Sequence, residues 1–392
     1  MSILMRVCLP VVLVLAGSPV QADDPPQFPQ NPTFSTLIKT PFAIEGLTGD
    51  RKRNLYTVGR GASPCPVWRI NLASPALVVV GNIAVAACSP SGLAFNEAGD
   101  LFIVDDDKIY RLTPNDASPP TVMTAFASGV PGTNGLAFDR DGNLWTGDGT
   151  TGQGRVWKIT TGGVVSEQFR VQPMRNSTAL GGVIAGANGV GRQARTFPTG
   201  TLTITVPASA SPTVVTPAGG QDLVVNGLAF DEEGDLFIAD TARGAIWRVE
   251  FESDGTLKSR TGCDSTFTAN TLCLDNIFVA HPLLEGVDGI ILDRAGNIWG
   301  AANERNAVVV VTEKRRVIEV FRNTPDATTN LRNTGPLETP TSPLIVNRRI
   351  FCTANSDGNR RDNSPNTAGE IKPAGPDRGK ISCLDQKLTI RD

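Results

Sequence analysis

Short apolar runs broken by charged or glycine-bearing turns recur along this chain, and residues 226–249, NGLAFDEEGDLFIADTARGAIWRV, state the pattern most cleanly. NGLAF predicts a strand and DEEGD a charged turn, with Gly234 where a positive φ costs least. LFIAD predicts a second strand, TARG a second turn and AIWRV a third strand. Versions begin at Ser91 (SGLAFNEAGDLFIVDDDKIYRL), Asn134 (NGLAFDRDGNLWTGDGTTGQGRVWKI) and Asp288 (DGIILDRAGNIWGAANERNAVVVV). A meander of three or four strands cannot bury both of its apolar faces alone. Repeated units must therefore stack, and a closed ring leaves neither end bare, which predicts a β-propeller. The starts at 91 and 134 lie 43 residues apart, which fits a four-stranded blade of roughly 40 to 50 residues. From 134 to 226 the gap is 92 and from 226 to 288 it is 62, so the middle holds one degenerate blade or a long insertion.

The two ends complete the ring. FSTLIKTPFAIEG reads as a strand running into Glu45, while NRRIFCTAN and GKISCLDQKL read as two strands separated by a polar loop over 356–378. The N-terminal strand is expected to pair into the last blade, leaving Glu45 to open the first. Residues 172–222 form the irregular stretch, with TLTITV as the one convincing strand. Its glycine run, GGVIAGANGVGRQARTFPTG, lacks the GK[ST] ending and the following helix that a phosphate loop requires.

Residues 1–22 carry Arg6, an apolar run over 7–16 and the small-residue site Val20-Gln21-Ala22. These are the three parts of a secretory signal peptide, and the apolar core is shorter than the ~20 residues of a membrane span. A secreted or periplasmic protein without a membrane anchor is expected, with a proline-rich lead-in over 23–34 and one propeller domain over 35–392. Export removes Cys8 and leaves six cysteines: Cys65, Cys88, Cys263, Cys273, Cys352 and Cys383. An even number suits disulfides, and nearest-neighbour pairing is expected. No CxxC spacing and a single histidine argue against zinc. The formal charge is −3, and the basic clusters Arg51-Lys52-Arg53 and Lys314-Arg315-Arg316 fall in or beside predicted turns, so nucleic acid is not an expected partner. A monomer acting on a small molecule is expected.

Candidate chemistry lies at the first residue of each repeat. The innermost strand of a propeller blade runs along the central channel, so these positions converge at one mouth. They carry Glu45, Asn134, Asn226 and Asp288, with Ser91 as a weaker donor. Two carboxylates and two carboxamides make an all-oxygen cluster, which suits Ca²⁺, Mg²⁺ or Mn²⁺ better than zinc or copper. Asn-Gly and Asp-Gly are also ordinary turn dipeptides, so any one of these residues could merely shape a loop. Their shared register with the repeat favours shared chemistry.

EGL at Glu45, NGLAFDRDGNLW at Asn134, NGLAFDEEGDLFIADT at Asn226 and DGIILDRAGNIWGA at Asp288 resemble the motifs of the senescence-marker-protein/gluconolactonase superfamily. The resemblance runs from about residue 40 to 385 and is faint over 172–222. It implies a six-bladed propeller with a long insertion, a seventh blade being the alternative, and one divalent metal in the channel, Ca²⁺ foremost. By resemblance Glu45, Asn226 and Asp288 take the places of the metal ligands and Asn134 that of a substrate-contacting asparagine. Asp288 also matches the family's general base. The implied reaction is lactone or ester hydrolysis by a metal-activated water. The family's lactonases carry an arginine two residues before the substrate asparagine, where this chain has Gly132 followed by Thr133. Two other readings stay open: a non-catalytic secreted binding module, and an alkaloid-synthase-like propeller using Glu45 or Glu304. The lone histidine, His281, beside Pro282 in an apolar stretch, reads as structural.

Overall fold

The computed structural model describes residues 28–388, apart from 176–183, 186–190, 207–219, 222–224, 324–334 and 357–378 and positions 30, 87, 150, 152, 173, 198, 199, 242, 266 and 285. The signal-peptide reading and half of the lead-in fall outside the described residues, as does the polar loop after Ser356.

Six antiparallel sheets follow one another along the chain. Blade 1 is built from Thr48–Gly49, Asn54–Val58, Cys65–Asn71 and Ser74–Ile83, with Thr121–Val122 added parallel at its outer edge. Blade 2 has Pro90–Phe95, Leu101–Asp105, Lys108–Leu112 and Ala127–Ser128, and blade 3 has Thr133–Phe138, Leu144–Asp148, Arg155–Ile159 and Val165–Arg170. Val225–Phe230, Leu236–Asp240, Ala245–Val249 and Ile277–Ala280 make blade 4. Val287–Leu292, Ile298–Ala302, Ala307–Val311 and Val317–Arg322 make blade 5. Blade 6 joins Pro340–Val346, Ile350–Asn355 and Gly379–Leu384 to the N-terminal strand Phe34–Thr40, which pairs antiparallel with Gly379–Leu384. The ring closes by this pairing of the two ends, as the sequence predicts, and it has six blades with an insertion between blades 3 and 4. Within the insertion Gly191–Phe197 pairs with Gly200–Val206, so the glycine run holds a strand that its composition hid. The 62-residue spacing arises within blade 4, whose third and fourth strands are joined through the long segment 250–276.

The core lies between neighbouring sheets. Trp145, Val156 and Phe169 of blade 3 pack on Leu236, Ile238 and Trp247 of blade 4, and Trp299 and Val308 of blade 5 pack on Phe351 of blade 6. Each strand buries its apolar set against the next blade, so the hydrophobic effect that orders one sheet also fixes its neighbour.

The turn after each inner strand explains the repeated acidic and aromatic residues. In blade 3 the Asp139 carboxylate accepts the Asn143 backbone N–H at 2.8 Å and the Trp145 indole N–H at 2.9 Å. Blade 5 repeats this with Asp293, Asn297 and Trp299, and blade 1 with Asp50, Asn54 and the Tyr56 hydroxyl. Where the aromatic is Phe and has no donor, an acid sits four residues on and takes an arginine from the next strand. Asp100 binds Arg111 in blade 2 and Asp235 binds Arg248 in blade 4. Blade 2 precedes that acid with Asn96, whereas blade 4 precedes it with Asp231. Burial pushes the Asp231 carboxyl up and the facing Asp235 charge adds to it, against the opposing backbone N–H bonds of Asp235 and Gly234.

Asp231→Asn should therefore stabilise the chain. A carboxyl raised in the folded state binds its proton more tightly there than when unfolded, so ionising it costs stability as pH rises through that value. The gain from Asn should be present at pH 7 and vanish below the ordinary carboxyl value of 3.8. Because Asp231 is partly exposed, the screened effect is about 0.5 kcal/mol. Denaturant melts at pH 7 and pH 3.5 check it, and an equal gain at both would rule out the charge argument.

Cysteines pair as nearest neighbours: Cys65–Cys88, Cys263–Cys273 and Cys352–Cys383. Cys352 and Cys383 lie on adjacent strands of blade 6, and Cys263–Cys273 closes the long connection of blade 4. Cys65–Cys88 crosses between blades. It ties the third strand of blade 1 to the segment entering blade 2, because Cys88 precedes Pro90–Phe95 by only two positions.

Candidate metal and substrate site

Five of the six repeats open on a residue followed by glycine, and the glycine is explained by a close approach. A Cβ added to Gly46, Gly92, Gly135, Gly227 or Gly289 would meet the carbonyl oxygen of Ser91, Asn134, Asn226, Asp288 or Thr341 respectively, at 1.9 to 2.8 Å. None of the five glycines has a positive φ, and Gly92, Gly135, Gly227 and Gly289 lie within strands rather than turns. In every case the carbonyl belongs to the opening residue of the next blade. Thr341 closes the circle, its hydroxyl donating to the Glu45 carbonyl at 2.6 Å. Glu45, Ser91, Asn134, Asn226, Asp288 and Thr341 thus form one continuous ring of backbone contacts around the channel mouth.

A register shift falls at the ring residue in blades 2 to 6. The irregularities lie between Pro90 and Leu93, Thr133 and Leu136, Val225 and Leu228, Val287 and Ile290, and Pro340 and Pro343. Such bulges re-aim a side chain relative to the regular pleat, which lets the ring residue leave the core pattern of its strand. Ser91 and Thr341 spend their hydroxyls on neighbouring carbonyls, Ser91 donating to Asn134 O at 3.2 Å. The residues with chemistry to offer are therefore Glu45, Asn134, Asn226 and Asp288.

Asn226 and Asp288 are buried and lie on adjacent blades. The Asn226 amide N–H donates to the Thr241 hydroxyl at 3.3 Å, and that hydroxyl donates to Val287 O at 2.7 Å, so the amide is oriented by a bond to the blade that carries Asp288. The Asp288 carboxylate accepts from the Asn303 amide N–H at 3.0 Å. Asn303 is itself buried, at 3 % exposure, and its amide oxygen has no hydrogen-bond partner among the described residues. A buried acceptor left unsatisfied costs about 1 to 3 kcal/mol, so its persistence beside a carboxylate points to a cationic or protic partner.

Glu45 is differently placed. Its carboxylate accepts from a guanidinium N–H of Arg60, and the same guanidinium donates to the Ser89 hydroxyl at 2.6 Å. An all-oxygen set of Asn226, Asp288 and Asn303 fits a hard divalent cation by donor chemistry. Glu45 joins that set only by parting from Arg60.

A cavity of about 750 Å³ opens beside Glu45, lined among others by Arg60, Ser89, Ser91, Asp105 and Asn134. Asn226 and Asp288 do not line it. The expected substrate contact Asn134 and one expected ligand, Glu45, therefore face a common space, while the other two ligands sit across the ring. Gly132 lies on the same wall. Asp105 ends the second strand of blade 2, as Asp148 and Asp240 end theirs. Asp148 and Asp240 are neutralised by Arg155 and Arg243 on their own blades. Asp105 takes the Ser89 backbone N–H at 2.6 Å, and burial pushes its carboxyl up, with Asp106 adding to the rise. His281 stands apart from this cavity. Its Nδ1 accepts the Leu283 N–H at 3.1 Å, and burial, with Arg305 nearby, holds its imidazole below the usual range, so it serves the connection after blade 4. The Glu304 side chain lies outside the described residues.

Arg60, Asn303 and Thr341 were missed in the sequence. Thr341 lacks the following glycine that marks the other ring positions, and Arg60 and Asn303 lie beyond the ends of second strands where the repeat loses register. Aligning LFIAD at Asp240 with IWGAA at Ala302 shows blade 5, like blades 1 and 6, without a terminal acid, and with Asn303 next.

Residues 181–336 match the family described as SMP-30/Gluconolactonase/LRE-like region. Among solved structures the chain is similar to regucalcin of Agrobacterium tumefaciens, described as a calcium-binding protein. The TM-score is 0.53 and the identity 17%, covering 91% of this chain and 94% of that one. It is similar to a structure provisionally described as a gluconolactonase (TM-score 0.50, 14% identity, covering 93% and 96%). It is also similar to the PQQ-bound aldose sugar dehydrogenase of Streptomyces coelicolor (TM-score 0.53, 14% identity, covering 92% and 100%). No curated protein matches it. At these identities the solved structures share a fold, and a fold hosts more than one chemistry.

Proposed function

Taking the chain as a six-bladed propeller whose residues 181–336 carry the SMP-30/gluconolactonase/LRE-like region, we propose that it is a divalent-metal-dependent hydrolase of a lactone or related ester. The observation that carries this reading is the buried oxygen donors Asp288 and Asn226 of the ring with Asn303 hydrogen-bonded to Asp288, the Asn303 oxygen being without a partner among the described residues. Ca²⁺ is the cation best suited to such donors. Asn226 and Asp288 would hold it, with Glu45 completing the set. When bound, a divalent ion polarises an ester carbonyl and lowers the pKa of water.

The chain's own residues supply the rest. Asp288, oriented by the Asn303 N–H, is the carboxylate able to accept the proton of an attacking water. Asn134, on the wall of the 750 Å³ cavity, offers a carboxamide to a substrate oxygen. Asn226 is kept in one orientation by Thr241, so it enters the site without a rotamer search.

A second reading, a non-catalytic secreted binding module, is favoured by one observation: Arg60 neutralises one of the two ring carboxylates. Metal-linked stability and turnover separate the two. Chelation should lower the melting temperature and added Ca²⁺ should restore it, by about 2.7 kcal/mol of stabilisation at a hundredfold excess over Kd. The restored increment should be lost in Asp288→Ala. Calcium-dependent turnover of a small lactone panel is then the deciding assay. A protein that is stabilised by Ca²⁺ through Asp288 yet opens no lactone is a binding module.

A further inference from the structure

The loop that carries Arg60 is built to hold it over the cavity. Its backbone N–H donates to Ala43 O at 2.8 Å, and the adjacent Gly61 N–H donates to Cys88 O at 2.9 Å. Cys88 is disulfide-bonded to Cys65 of blade 1, so both sides of the loop are tied down. From this anchor the guanidinium reaches Glu45 with one nitrogen and the Ser89 hydroxyl with another. The pair is unequal in setting: the Glu45 side chain is 12% exposed and Arg60 30%. The other cation on the cavity wall, Lys108, is bound to Asp107 at 2.9 Å and is 45% exposed.

From this placement we infer that Arg60 is a displaceable counter-cation that links metal loading to recognition of an anionic group on the substrate. Glu45 cannot serve a guanidinium and a divalent ion fully at once. A cation that takes Glu45 must break the Arg60 pair, and the displaced guanidinium stays on the cavity wall, held by the Ser89 hydroxyl. A planar guanidinium with its carboxylate removed is the group best shaped to take another carboxylate, by two parallel N–H donations. The substrate class that follows is a small molecule bearing a carboxylate or comparable anion. This wall also carries Gly132, so the guanidinium comes from blade 1 and not from the loop before Asn134. The inference rests on the proposed metal site, since a carboxylate that never meets a cation never releases Arg60.

The test is a pair of calorimetric titrations on the full mature protein after chelation, with wild type, Arg60→Gln and Ser89→Ala. Ca²⁺ is titrated first, and gluconate, a hydroxycarboxylate of the kind a sugar lactone yields, is titrated with and without Ca²⁺. Arg60→Gln should bind Ca²⁺ more tightly by about three- to tenfold, because no resident cation competes for Glu45. Ca²⁺ should strengthen gluconate binding in the wild type and not in Arg60→Gln. Ser89→Ala should keep the calcium coupling, because the Arg60–Glu45 ion pair is left in place. Equal Ca²⁺ affinity in wild type and Arg60→Gln overturns the inference and leaves the metal site standing. Tighter Ca²⁺ but no gain in gluconate binding overturns the anion assignment. Absence of Ca²⁺ binding in all three overturns the metal reading and this inference with it.

Discussion

Asp288→Asn, measured at saturating Ca²⁺, should lose about 10² to 10⁴ in lactone turnover, the range for removal of a general base. The substitution preserves shape and leaves an oxygen that can still accept the Asn303 N–H, so folding should be little changed. What it removes is the ability to take a proton at neutral pH and one negative charge from the ring. Metal should bind more weakly and still saturate at raised concentration, because Asn226 and Asn303 keep their oxygens in place. Asn134→Ala is the matched control. It touches the cavity and not the Asp288 group, so it should raise KM and leave calcium affinity nearly intact. If metal-loaded Asp288→Asn turns over a responsive lactone as fast as the parent, Asp288 is not the base.

How far the chain could be read from its sequence depended on what each residue's neighbours are. Strand runs such as LFIVD and AIWRV announce themselves because their apolar residues pack against the next copy of the same pattern, a short-range rule repeated six times. The pairing of Phe34–Thr40 with Gly379–Leu384 was legible because a closed ring allows few places for a leftover strand. Ring positions followed from register alone, since the residue before each glycine is always the one whose carbonyl meets the previous blade. The purpose of the glycines was not legible: Asn-Gly is also an ordinary turn dipeptide, whereas Gly135 and Gly227 lie within strands and are small because the next blade passes within a Cβ's reach.

Contacts made by loop residues beyond the strand ends left no such trace. Arg60 meets Glu45 across 15 residues through a loop whose shape depends on the Cys65–Cys88 bond. Asn303 becomes a candidate only when Asp288 is seen to orient on it. Acidic residues ending second strands looked alike in sequence, yet Asp148 and Asp240 are bound to arginines of their own blade while Asp105 faces the cavity with a raised pKa. The polar chemistry of a propeller mouth is set by loops that the repeat does not control, which is why one ring supports many activities.

Gly227→Ala should be among the most damaging single changes in the chain. An added Cβ would lie 2.6 Å from Ile290 N, 2.7 Å from the Gly289 Cα and 2.8 Å from Asp288 O, all backbone atoms of the next blade. No side-chain rotation relieves that contact, so the sheets must separate, and overpacking of this kind costs about 3 kcal/mol or more. The same displacement moves Asp288 away from Asn226, so the calcium-linked rise in melting temperature should shrink along with the baseline stability. Gly234→Ala separates this effect from glycine loss in general. Gly234 sits at φ +95 with nothing within 4 Å of its missing Cβ, so Ala there meets only backbone strain, about 1 to 2 kcal/mol, and should leave calcium linkage unchanged. Thermal melts of both variants, with EDTA and with Ca²⁺, make the comparison. A Gly227→Ala protein that melts at the wild-type temperature and keeps its full calcium response would mean that the blades do not meet at this ring. Asp288 would then have no fixed position relative to Asn226, and the proposed site would lose its geometry.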